Sequence, residues 1–81
     1  MVMQKRFLRP LCERRAAAIF EEALQALGYP RSEEGIEEVR RYCEDHFKAY
    51  NPVEQEIMRD TLSRLIRNYK AELKDHFMAY R

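Results

Sequence analysis

A chain of 81 residues, 46% hydrophobic and 36% charged with two Gly and three Pro, is expected to form one folded, helix-rich domain rather than a disordered segment. A net charge of +1 argues against a global field that would steer the chain to nucleic acid or a membrane surface. No apolar run has signal-peptide or membrane length, so a cytoplasmic location with the thiols of Cys12 and Cys43 reduced is the expectation.

The charge is uneven along the chain. Residues 1–15 carry five bases and one acid, whereas residues 21–38 carry six acids and one base. Residues 39–60 hold four bases and five acids, and residues 61–81 hold five bases and two acids. Two basic ends flank an acidic middle. Such a distribution pairs readily inside a bundle, and any basic binding patch has to be weighed against that.

Residues 1–9 show no clear helix signal and read as a loose arm carrying Lys5, Arg6 and Arg9. Pro10 suits a first turn, so helix 1 is predicted over about 10–27. Cys12, Ala16, Ile19, Phe20, Ala23, Leu24 and Leu27 share one face of it. The small Ala16-Ala17-Ala18 run and Ala23 would let another helix approach closely. Gly28 provides a left-handed cap, and Pro30 prevents continuation.

Helix 2 is predicted over about 33–49. Ser32 is its cap, Glu33 and Glu34 suit the positive end of the helix dipole, and Gly35 is a weak point in the first turn. Ile36, Val39, Cys43, His46, Phe47 and Tyr50 form its apolar stripe. Asn51-Pro52-Val53-Glu54 then starts helix 3, predicted over 52–80 with no Gly or Pro to interrupt it. Met58, Leu62, Leu65, Ile66, Tyr69, Leu73, His76, Phe77 and Tyr80 share its main face. Val53, Ile57 and Met78 fall outside that stripe, either meeting a neighbouring helix or scattered on the surface, or else forming a second contact surface. Ser63 and Thr61 are placed on an exposed flank.

These elements predict an all-α, three-helix antiparallel bundle, up-down-up, with a long C-terminal helix. Folded at Asn51, position 36 lies opposite about position 66. The last eleven or so residues then overhang the start of helix 2 and carry Leu73, Phe77 and Tyr80, for which helix 1, the Gly28–Arg31 turn and a second copy of the chain are the candidate partners.

Asp45-His46-Phe47-Lys48-Ala49-Tyr50 is nearly repeated as Asp75-His76-Phe77-Met78-Ala79-Tyr80. Beyond the hexamer the match is thin, so the echo reads as a shared way of ending a helix. Cys43 and His46 have a permissible metal spacing, but no third ligand completes a recognised set, and neither metal nor cofactor is expected. No nucleophile has an evident base and oxyanion site, and no Gly-rich phosphate loop is present, so an enzyme is not expected.

The functional expectation is a protein–protein interaction module, a regulator, inhibitor or adaptor, self-associating as a homodimer. Its contact residues would be Arg67, Lys70, Leu73, Lys74, Phe77 and Tyr80. The alternative is a nucleic-acid-associated regulator, with Arg59, Arg67, Lys70, Lys74 and Arg81 on phosphates, helped by the basic arm. Acidic starts to helices 2 and 3 argue against a recognition helix. No membrane partner is expected.

Overall fold

In the computed structural model, backbone is described for residues 5–79 and side chains for residues 8–74. Three helices, α1 (Lys5–Ala26), α2 (Glu33–Phe47) and α3 (Pro52–Ala79), each pack against the other two. Their directions follow from side-chain pairs. Arg9 meets Asp60, Arg64 meets Glu13 and Phe20 meets Tyr69, so α1 and α3 run parallel. Tyr42 bonds to Glu22, Arg15 lies over Tyr50 and Lys70 bonds to Glu33, so α2 runs against both. The bundle is the predicted up-down-up arrangement.

The register of α2 on α3 also matches expectation. Lys70 Nζ lies 3.1 Å from Glu33 Oε2, which sets position 36 near position 66. The caps that start these helices are the predicted ones. Ser32 Oγ accepts from Gly35 N at 3.0 Å. At α3, Asn51 Oδ1 accepts from Glu54 N at 2.9 Å while Asn51 N donates to Glu54 Oε1 at 3.3 Å, a reciprocal capping box.

Two boundaries differ from the sequence reading, and a third lies outside the described residues. Helix α1 begins at Lys5, with Pro10 inside it, rather than at Pro10. Proline removes only one N–H, the donor to Arg6 C=O, and the local gain offsets that loss: Leu8 packs on the core and Arg9 bridges Glu13 and Asp60 at 3.7 Å each. The expected loose arm over 1–9 is therefore helical from Lys5. Helix α2 stops at Phe47, because Lys48, Ala49 and Tyr50 close onto carbonyls three residues back in tighter turns. Helix α3 is followed to Ala79, so its expected end at Tyr80 lies outside the described residues.

Helix α1 ends in a Schellman motif. Tyr29 N donates to Leu24 O at 2.7 Å and Gly28 N to Gln25 O at 3.3 Å, with Gly28 at φ 74°. Tyr29 is also left-handed, at φ 52°, and its hydroxyl donates to the Glu21 carboxylate. Pro30 then folds down onto α2, where Gly35 has no room for a side chain.

The core comprises Cys12, Ala16, Phe20, Ala23 and Leu24 of α1, Ile36, Val39, Cys43 and Phe47 of α2, and Ile57, Met58, Leu62 and Ile66 of α3. Ala16 and Ala23 are fully buried, so the small side chains do line the close helix contact, whereas Ala17 and Ala18 face out. One α3 placement is corrected: Thr61 is 6% exposed, although the sequence set it on an open flank, while Ile57, off the main stripe, is 8% exposed and meets a neighbouring helix, one of the readings open to it. Helix α3 has two neighbours, so its buried arc is wider than one stripe, and α1 covers the added side. Thr61 Oγ1 donates to Ile57 O at 3.0 Å, which satisfies the buried hydroxyl.

Candidate functional site

Of the residues assigned to the self-association contact, Arg67, Lys70, Leu73, Lys74 and Phe77 lie on the second half of α3, and Tyr80 lies outside the described residues. That helix is unbroken for 28 residues, about 42 Å at 1.5 Å per residue. Because α2 starts at Glu33, level with Lys70, α3 continues about nine residues past α2. The turn between α1 and α2 fills part of this space, with Tyr69 Oη donating to Pro30 O at 2.7 Å.

That turn changes the position of Leu73. It is half-buried and packs against the core instead of projecting free. With Ile36 it lines a shallow groove rimmed by Arg31, Ser32, Glu33, Lys70 and Lys74. The sequence missed the contribution of Arg31, Ser32 and Glu33, since their approach to α3 depends on the path of the turn. Phe77 and Tyr80 have side chains outside the described residues.

The basic flank is only partly committed to internal pairs. Lys70 bonds to Glu33. Arg67 and Lys74 are exposed and have no ion-pair partner among the described residues. Arg59 donates to Gln55 Oε1 at 3.1 Å. On α1, Arg9 pairs with Glu13 and Asp60, while Arg15 pairs with Glu54 at 3.3 Å and stands 5.2 Å from the Tyr50 ring centroid. Lys5, Arg6 and Arg81 lie outside the described side chains. Of the bases that were to form a phosphate-tracking arm and flank, Arg9 and Lys70 are thus engaged by carboxylates.

The Cys43–His46 pair separates by environment. Cys43 is fully buried, and burial pushes its thiol from 9.0 up to about 12. His46 is exposed, so its place in the apolar stripe is also corrected. Its ring stacks on Tyr42 at 4.4 Å, and Nδ1 donates to the Tyr42 carbonyl at 2.9 Å. A backbone bond and an aromatic neighbour satisfy the imidazole at the surface, while the thiol faces inward. Among the described residues no group of three His, Cys, Asp or Glu could hold a metal ion. Burial also raises Cys12, with Glu54 adding to the shift and Arg15 opposing it. No helix among the described residues is long and apolar enough to cross a membrane.

Compared with known proteins, the chain matches no family model, no curated protein and no solved structure.

Proposed function

We propose that the protein is a small, non-enzymatic, cytoplasmic interaction module, a regulator, inhibitor or adaptor, that self-associates through the distal half of α3. The residues assigned to the contact are Arg67, Lys70, Leu73 and Lys74, with Phe77 and Tyr80 following in the same sequence register. One observation carries the reading: α3 outruns α2 by about nine residues, leaving exposed bases beside a half-buried leucine at the end of the bundle. Long basic side chains bordering an apolar groove suit a partner that presents carboxylates around an aliphatic anchor.

Sedimentation velocity over a wide concentration range tests this. A sedimentation coefficient that rises with concentration, and rises less in Arg67→Glu/Lys74→Glu, is expected. A protein that stays monomeric throughout sinks self-association. If that monomer is also held on heparin and released by salt, the nucleic-acid reading replaces it.

A further inference from the structure

The outward side of α3 carries its own charge order, apart from the overhang. Glu56, Asp60, Ser63, Arg67, Lys70 and Lys74 follow one another at alternating spacings of four and three residues. That is the spacing of a coiled-coil seam, and it keeps them on one line along the helix. All six are exposed. Two acids occupy the first part of this line, a serine the middle and three bases the last part.

We infer that this line is the contact between two copies of the chain, with their α3 helices antiparallel about a two-fold axis beside Leu65. The inference rests on the interaction reading above and narrows it to a partner and a geometry. Under that symmetry Glu56 faces Lys74 of the second copy, Asp60 faces Lys70, and Ser63 faces Arg67, each pair occurring twice. The seam from 56 to 74 is about 27 Å long. At each end the half-exposed Val53 falls opposite position 77. Every acid meets a base and the central position stays small. Such self-complementarity is what an isologous contact requires.

Other occupants fit the line less well. A parallel pairing sets Lys74 against Lys74 and Glu56 against Glu56. A phosphate backbone laid along it would meet the carboxylates of Glu56 and Asp60. A uniformly acidic protein would gain from Arg67, Lys70 and Lys74 but be repelled at Glu56 and Asp60. Only a partner with the reverse charge order suits the whole line, and a second copy turned end for end supplies one.

Two of the six already have internal partners. Asp60 lies 3.7 Å from Arg9, and Lys70 lies 3.1 Å from Glu33. These pairs are exposed, so re-sharing them across a dimer costs little. Glu56 and Lys74 have no ion-pair partner among the described residues, which makes them the outermost and most sensitive positions of the seam.

The test is charge reversal with rescue, read as dimer dissociation constants by sedimentation equilibrium. Glu56→Lys and Lys74→Glu are each expected to weaken the dimer about tenfold, because one attraction becomes a repulsion at two symmetric places. The double variant is expected to return to near the parent value. Arg41→Glu, an exposed charge reversal on α2 away from the line, should leave association unchanged. Spin labels give a geometric readout that does not depend on affinity. Labels on Ser63→Cys sit near the axis and should report a short separation. Those on Val53→Cys should lie about 36 Å apart along the helix direction. The native thiols are buried and leave these sites to the label.

A dimer indifferent to both reversals, or a double variant no tighter than the singles, overturns the antiparallel seam while leaving self-association standing. So does a dimer weakened as much by Arg41→Glu. A monomer at every concentration removes the seam and the self-association together.

Discussion

A Cβ added at Gly35 would collide with Pro30 Cβ and stand 3.2 Å from Ser32 Oγ and 3.3 Å from Pro30 Cγ. The proline ring is rigid and belongs to the turn that also bonds Tyr69. Alanine is favoured over glycine in a helix by about 1 kcal/mol, yet crowding a packed site costs about 1–3 kcal/mol. Gly35→Ala is therefore expected to lower the urea-unfolding free energy by more in the parent chain than in a Pro30→Gly background, where the colliding Cβ is gone. A more stable Gly35→Ala would mean that propensity governs this position. Cys43 gives a pH prediction. Its thiol titrates near 12 in the folded chain against 9.0 for an unperturbed cysteine, so the folded state holds the proton more tightly. The stability linked to this group is fully present below pH 9 and is lost as pH rises toward 12. Urea midpoints measured from pH 7 to 11 should fall above about pH 9. Cys43→Ala, though less stable at every pH, should fall less steeply. Tyr29, Tyr42 and Tyr69 are raised in the same direction, so some slope will remain.

At the scale of the element, α2 and α3 begin where local chemistry starts a helix. Ser32 and Asn51 each satisfy a free N–H of the first turn, and Glu54 returns the bond to Asn51. Asn51→Ala is expected to cost about 1 kcal/mol. Amide exchange should show the loss concentrated in the first turn of α3, with protection kept around Leu62. Uniform loss along α3 would instead make Asn51 part of the global cooperative unit. These caps were legible because they involve residues three apart in sequence. The start of α1 was not. Pro10 looks like a first-turn residue to any local rule, and only the packing of Leu8 and the ion pairs of Arg9 carry the helix back to Lys5.

For the whole molecule, the ion pairs sit at the surface and the stabilising burial lies in the three-sided core. Every paired side chain keeps some solvent exposure, from 17% at Glu54 to 83% at Glu33. Exposed pairs contribute between nothing and about 1 kcal/mol each and are screened by salt. The melting temperature of the dilute protein should thus change little between low and about 0.5 M salt, while dimer formation through the α3 seam should weaken clearly. A melting temperature that drops steeply with salt would mean that the acid-base pairing, not the core, holds the helices together. The candidate site was legible only in part. The exposed bases Arg67 and Lys74 could be placed by helical period alone. The cover over Leu73 could be narrowed only to helix 1, the Gly28–Arg31 turn or a second copy, since the choice depends on how a turn some forty residues earlier packs.

The sequence by itself determined three helices, their caps, the up-down-up order and the pairing of position 36 with about 66, because caps, short turns and helical period act between near neighbours. Tertiary structure alone decided the rest. It turned Ile57 and Thr61 inward because α1 lies along a second side of α3. It required Gly35 to stay bare beneath Pro30, and it turned Cys43 and His46 to opposite environments. Each of these outcomes depends on which helix packs where, a contact between residues far apart in the chain that no local pattern encodes.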